Sequence, residues 1–162
     1  MLKEIVSSYA QKTANGVEID LKALARNQEF RTEVINEVLK RIGDPAPCVL
    51  IPAYESRATD NHLGSLINEL ALTLQVKTLV TGDVKNFKSL RTRPAEVLII
   101  KQSFRAGKGL QQQITELKEL GAKKVRVLCF IAHNTGRLQG FGHENNVEIE
   151  ALVKADEIRY LE

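Results

Sequence analysis

The stretch Glu96-Val-Leu-Ile-Ile-Lys-Gln-Ser-Phe-Arg-Ala-Gly-Lys-Gly-Leu110 reads as a buried strand, a tight glycine loop and the first turn of a helix. Val97 to Ile100 is a continuous apolar run, the pattern of a strand covered on both faces. Leu110, Ile114, Leu117 and Leu120 then recur at helical spacing until Gly121 ends the pattern. In an open α/β sheet, ligands gather at the carboxyl ends of strands and anions settle on helix N-termini. The loop Arg105, Ala106, Gly107, Lys108, Gly109 is therefore the leading candidate site. Its two glycines allow close approach of the backbone to an anion, and Arg105 and Lys108 add donors and positive charge. The same residues also suit an ordinary strand-to-helix turn with solvated basic side chains. The loop is too short for a Walker loop and is not followed by a Lys-Ser/Thr pair; the third glycine of a dinucleotide fingerprint is missing as well.

Working outward, the chain alternates strand and helix from residue 30 to residue 131. Phe30, Val34, Ile35, Val38, Leu39 and Ile42 mark one helix, closed by Gly43 and Pro45. Cys48 to Pro52 is a short apolar strand, and the polar loop Ala53 to Asp60 follows it. Leu63, Leu66, Ile67, Leu70, Ala71 and Leu74 form a second helical face. Val76 to Val80 is a strand, and Thr81 to Pro94 a basic loop with Lys85, Lys88 and Arg91. Lys124 to Ile131 is the last long strand, His133 to Asn146 a long polar loop, and Ile158 to Leu161 a small closing strand. At the amino end, Leu2 to about Thr13 has a short amphipathic helical pattern, Asn15-Gly16 signals a turn, and Val17 to Leu21 alternates like a strand. Lys22 to Asn27 reads as a loop or turn. Such alternation predicts an α/β fold, a mainly parallel sheet flanked by helices. The expected layout is a single domain over 1–162, with an N-terminal helix and strand (1–29), an α/β core (30–135) and a C-terminal loop and closing strand (136–162).

The 162 residues suit one core, and 43% hydrophobic with 27% charged residues is globular composition. A net charge of +3 admits an anionic ligand without requiring nucleic acid. Cys48 and Cys129 lie in or beside apolar runs and read as buried thiols, which points to a reducing, cytoplasmic setting. No apolar run approaches membrane-spanning length, and residues 1–15 lack a hydrophobic signal core. His62, His133 and His143 are dispersed without metal-ligand spacing, so no metal site is expected; His133, just past the last long strand, is the one placed for a ligand. Asp60 or Asn61 reads as a helix N-cap, while Arg57 is the more plausible phosphate contact in its loop.

In order and pattern, residues 15 to 140 resemble the type I phosphoribosyltransferases, most closely the orotate phosphoribosyltransferases. Glu18-Ile-Asp-Leu-Lys-Ala-Leu24 is similar to the family's Tyr-Ile-Asp-Leu-Arg strand, and Ile51-Pro-Ala-Tyr-Glu-Ser-Arg57 stands where its pyrophosphate loop belongs. Val97 to Leu110, then Leu117-Lys-Glu-Leu-Gly-Ala122 and Val125 to Ile131, occupy the place of its signature strand, loop, helix and strand. The resemblance implies a Rossmann-like phosphoribosyltransferase fold, a homodimer and a place in nucleotide metabolism. It also implies a phosphate loop at Arg105, Ala106, Gly107, Lys108 and Gly109, a pyrophosphate loop at Ala53, Tyr54, Glu55, Ser56 and Arg57, and a mobile loop bearing Lys85, Lys88 and Arg91.

The departures are chemical. The family's two adjacent acids, which hold the ribose hydroxyls of phosphoribosyl pyrophosphate, fall on Lys101 and Gln102. A lysine has no acceptor to offer a diol. The Thr-Thr pair falls on Arg105-Ala106, the mobile loop's Arg-Lys pair on Thr81-Gly82, and the Asp-Arg after the last strand near His133-Asn134. The expectation is a degenerate motif: an orotate phosphoribosyltransferase-like protein without the family reaction, a pseudoenzyme binding a phosphate-containing ligand or a protein partner. An active phosphoribosyltransferase with a nucleobase-like acceptor is the alternative, and Mg²⁺ belongs only to that reading. A nucleic-acid-binding regulator is the second alternative, disfavoured by 5% aromatic content and the lack of a nucleic-acid motif.

Overall fold

The computed structural model describes residues 1–42, 49–53, 64–74, 77–78 and 96–158. Element order is α1 (Leu2–Ser7), β1 (Ala10–Thr13), β2 (Gly16–Ile19), α2 (Leu21–Leu24), α3 (Gln28–Ile42), β3 (Val49–Pro52), α4 (Gly64–Leu74), β4 (Lys77–Thr78), β5 (Glu96–Phe104), α5 (Lys108–Glu119), β6 (Lys124–Ala132), α6 (Thr135–Asn145) and β7 (Glu148–Lys154). A 3₁₀ turn, Ala155–Glu157, follows β7.

Strands β4-β3-β5-β6-β7 pair in that order, all parallel, and β1 and β2 form a separate antiparallel hairpin. The pleat sends alternate side chains to opposite faces. Leu50, Leu98, Ile100, Leu128 and Phe130 pack with α1, α3 and α4 on one side. Val49, Ile51, Val97, Ile99, Val127 and Cys129 pack with Leu110, Ile114 and Leu117 of α5 and Leu138 and Phe141 of α6 on the other. Helices thus cover both faces of a parallel sheet in one α/β domain, as the apolar runs predict. The chain leaves β3 toward α4 on one face and β5 toward α5 on the other. The adjacent strands β3 and β5 therefore form a topological switch point, the position where open α/β sheets place ligands.

Arg126 locks the amino-terminal edge of the sheet. It is only 16% exposed and donates to the carbonyls of Arg41 (3.1 Å) and Ile42 (3.1 Å) at the end of α3. It also pairs with Glu96 at 3.5 Å and Glu148 at 3.1 Å. A cation here satisfies helix-end carbonyls and meets the negative end of the helix dipole.

The structure corrects three sequence expectations. The helix expected over Leu2 to Thr13 stops at Ser7, and Ala10–Thr13 pairs with Gly16–Ile19. Tight pairing across Ala14-Asn15, with Gly16 at φ +116°, outcompetes the helical pattern. Lys22 to Asn27 contains most of a short helix, α2, because the Asp20 side chain caps it by accepting from the Ala23 N–H at 3.0 Å. His133 to Asn146 is not a loop but mostly α6, capped by Asn134, whose side chain accepts from the Arg137 N–H at 3.0 Å. Its glycines hid it: a Cβ on Gly142 would lie 2.7 Å from Ile149 Cγ2, so the close contact of α6 with β7 requires glycine. A strand that the sequence reading did not expect, β7 (Glu148–Lys154), follows α6, and Arg159 to Leu161 of the expected closing strand lie outside the described residues.

Candidate functional site

At the carboxyl edge β3 stops first. Pro52 pairs with Ile100, and the Ala53 N–H donates to the Ile100 carbonyl at 2.9 Å. The side chain of Gln113, fully buried on α5, donates to the Pro52 carbonyl at 3.0 Å and pins the end of β3 to the helix. Strands β5 and β6 continue together to Phe104 and Ala132. The His133 N–H then donates to the Phe104 carbonyl at 3.0 Å, which adds a rung beyond the strands. Arg105 and His133 thus leave neighbouring strands at one level.

Arg105, Ala106 and Gly107 make the whole turn into α5. Gly107 is the N-cap residue, with φ +72° and ψ 17° in the left-handed region. A Cβ there would meet Phe141 at 2.7 Å and Phe104 at 2.8 Å. Those two rings stand edge to face with centroids 5.5 Å apart. This glycine is required by backbone conformation and by packing together, and the pair of rings fixes where α5 begins. The first turn of α5 directs its N–H groups, which have no partner within a helix, at the carboxyl edge.

Beside this turn lies a cavity of about 220 Å³ lined by Glu18, Ile19, Leu21, Ser103, Arg105, Ile131 and His133. The β1–β2 hairpin and the start of α2 supply one wall, and the ends of β5 and β6 the other. Burial holds the half-buried His133 imidazole below its ordinary pKa, and the neighbouring Arg105 cation pushes the same way. His133 is therefore neutral at pH 7, with the capacity to accept one hydrogen bond and donate one. Arg105 is exposed and brings a permanent charge. The cavity thus presents a cation, a hydroxyl and an imidazole on one wall and one carboxylate, Glu18, on the other. A larger groove of about 710 Å³ at the opposite edge is lined by Lys118, Lys123, Lys124, His143, Glu148 and neighbours. Two of its lysines are engaged, Lys118 with the carbonyls of Asn145 and Asn146 and Lys124 with Glu148, so the groove is built from fold-holding contacts.

The residues singled out by sequence distribute as follows. Arg105, Ala106, Gly107 and Gly109 stand at the turn and the first turn of α5, as does the backbone of Lys108. Lys101 and Gln102 lie inside β5, and neither lines the cavity: Gln102 is 3% exposed and Lys101 is half-buried. Ala53 is buried at the end of β3. Tyr54, Glu55, Ser56 and Arg57, and Lys85, Lys88 and Arg91, lie outside the described residues, as do Cys48, Asp60, Asn61 and His62. Sequence reasoning placed His133 at a strand end but not beside Arg105, and it missed Ser103 and Glu18. The pairing of β5 with β6 sets His133 beside Ser103 and Arg105, the hairpin brings in Glu18, and no local pattern announces either.

No family model matches the sequence, and no curated protein matches it. Solved structures do. Orotate phosphoribosyltransferase from Aeropyrum pernix superposes with a TM-score of 0.66 at 14% identity, covering 98% of this chain and 96% of that one. Adenine phosphoribosyltransferase from Leishmania donovani gives a TM-score of 0.68 at 11% identity, over 98% and 81% of the two chains. Orotate phosphoribosyltransferase from Mycobacterium tuberculosis H37Rv, in complex with 5-phospho-alpha-D-ribosyl 1-diphosphate, gives 0.63 at 12% identity, over 98% and 89%. The chain has the type I phosphoribosyltransferase fold. Identities this low establish the phosphoribosyltransferase architecture and leave the reaction to the residues. Mg²⁺, which this fold family implies, takes hard oxygen donors, chiefly carboxylates and phosphates. The end of β5 offers an ammonium, an amide and a hydroxyl (Lys101, Gln102, Ser103), and Glu18 alone among the described cavity residues is a carboxylate. Among the described cavity residues, Mg²⁺ would thus find one carboxylate.

Proposed function

We propose that this chain is a diverged orotate phosphoribosyltransferase-like protein that binds a phosphate-containing ligand, or an acidic partner, at its carboxyl edge and does not carry out phosphoribosyl transfer. One observation carries the reading. The edge concentrates donors, with Ser103, Arg105 and His133 around a cavity next to the start of α5, while β5 contributes Lys101 and Gln102 where the family resemblance expects two acids. Phosphoribosyl transfer requires a positioned ribose and electrostatic stabilisation of positive charge at its anomeric carbon. An ammonium on the strand opposes that charge, and a buried amide offers the diol no carboxylate. Donors for phosphate are retained; acceptors for ribose are not. The fold's neighbours include one bound to phosphoribosyl diphosphate and one bound to inorganic phosphate, in keeping with an anion at this edge. A cytoplasmic homodimer serving nucleotide metabolism belongs to the same proposal.

Calorimetric titration with phosphoribosyl pyrophosphate, nucleotides and inorganic phosphate tests binding, and pyrophosphate release with a panel of nucleobases tests turnover. Binding without release is the expected result. Release above the protein-free rate overturns the loss of the reaction and favours the alternative, an active enzyme with a nucleobase-like acceptor. That alternative draws on the cavity under the hairpin, whose volume suits a single small ring.

A further inference from the structure

We infer that His133 is a proton-coupled anion reader: it takes up a proton when a small oxyanion enters the cavity between it, Arg105 and Ser103. The inference rests on the anion-site reading above and adds how the site selects its ligand. Three donor-bearing side chains line one wall of a cavity of about 220 Å³, on strand ends held together by the His133 N–H to Phe104 carbonyl bond of 3.0 Å. Among the described residues, the charged groups that line the cavity with His133 are Arg105, on the turn after β5, and Glu18, on β2. From α2 the wall is Leu21, and from β6 it is Ile131. Arg137, in the first turn of α6, does not line the cavity.

With the cavity empty, burial and the Arg105 cation both disfavour the imidazolium. An oxyanion reverses the second effect: its charge offsets that of Arg105, and its oxygens accept a bond from a protonated imidazole. The doubly protonated ring has two donors and no acceptor, so it suits a ligand that presents acceptor oxygens, and its charge favours an anionic one. Glu18 disfavours an anion on its own side and confines it to the Arg105 side. The ligand part that enters is thus an oxyanion, whether a phosphate, a carboxylate or a sulfate group.

Sulfate is the probe, since it keeps its charge across pH 5.5–8.5 on the scale of ordinary side-chain titration. Binding is measured by calorimetry at several pH values, each in two buffers of different ionisation enthalpy. Wild type is expected to take up protons on binding, most strongly at pH values between the pKa of the empty and of the filled cavity. Its affinity is expected to be greatest at the acid end and to fall by up to about tenfold per pH unit between the pKa of the empty and of the filled cavity. His133→Gln keeps a donor and is expected to bind sulfate with no such proton uptake. Sulfate binding by wild type with a flat pH profile overturns the inference and leaves the anion site standing. So does unchanged proton uptake in His133→Gln. Absence of sulfate binding by wild type overturns both. If His133→Gln does not fold, the wild-type imidazole resonances, assigned by elimination with variants at His62 and His143, serve instead: the His133 signal must shift toward the protonated position on adding sulfate at pH 7.

Discussion

The backbone N–H of His133 donates to the carbonyl of Phe104 at 3.0 Å, and this bond sets Arg105 and His133 side by side beyond the sheet. Two residues 28 positions apart become one wall of a cavity through strand register alone, since Ser103 pairs with Ile131 and Phe104 with Ala132. What the site can do follows from that placement: a fixed cation beside a neutral imidazole favours an oxyanion.

Gly107→Ala tests the turn. The substitution places a Cβ within 2.8 Å of Phe104 and Phe141 at a residue with φ +72°. Left-handed strain costs about 1–2 kcal/mol and overpacking a further 1–3 kcal/mol. A loss of about 2–4 kcal/mol in urea-unfolding stability is expected. Combining it with Phe141→Leu should recover part of the loss; a double variant as unstable as the sum of the singles would show that the rings are not the obstacle.

Gln113→Leu tests the tie between α5 and β3. It removes the 3.0 Å bond to the Pro52 carbonyl and leaves that acceptor buried. A buried unsatisfied group costs about 1–3 kcal/mol, and the urea midpoint should fall accordingly. An unchanged midpoint would mean that the carbonyl finds another partner.

The layers of this fold were legible in the sequence because each strand covered on both faces is a continuous apolar run, as at Val97–Ile100, and each covering helix repeats its apolar residues at helical spacing, as at Leu110–Leu120. The α6 helix was not, since Gly136, Gly140 and Gly142 erase its periodicity while its close contact with Ile149 demands one of them. The hairpin was half legible: Asn15-Gly16 announced the turn, but the strand before it, Ala10–Thr13, continues a helical apolar pattern. At the site, Arg105 and Gly107 were visible as a loop. The cavity was not, because Glu18, Ser103 and His133 are brought together only by tertiary pairing.

Arg126→Met tests the lock on the amino-terminal edge. The change removes donors to the Arg41 and Ile42 carbonyls and the ion pairs of Arg126 with Glu96 and Glu148, while keeping most of the aliphatic stem. Hydrogen bonds from charged groups contribute about 1.5–3 kcal/mol. Stability should drop by about 2–3 kcal/mol, read from the thermal midpoint. Sulfate affinity should be unchanged, since Arg126 lies at the opposite end of the strands.

Acid should weaken the fold in part through His133. Its folded-state pKa is lowered, so the unfolded chain binds the proton more readily. The sign follows: stability falls as pH drops below the ordinary histidine value of about 6.5, and the loss is complete below the depressed folded value. His133→Gln should flatten the stability profile over that window. A wild-type and a variant profile that remain parallel below pH 6.5 would contradict the assignment.

Anion binding at the carboxyl edge and the absence of phosphoribosyl transfer can be read together by ³¹P nuclear magnetic resonance. Phosphoribosyl pyrophosphate and inorganic phosphate are mixed with the protein, Mg²⁺ and a panel of nucleobases. Exchange broadening of the phosphate resonances is expected with wild type, loss of that broadening with Arg105→Ala, and no pyrophosphate beyond the protein-free control. Protein-dependent growth of a pyrophosphate resonance, or sharp phosphate lines in the presence of wild type, would contradict the proposed function.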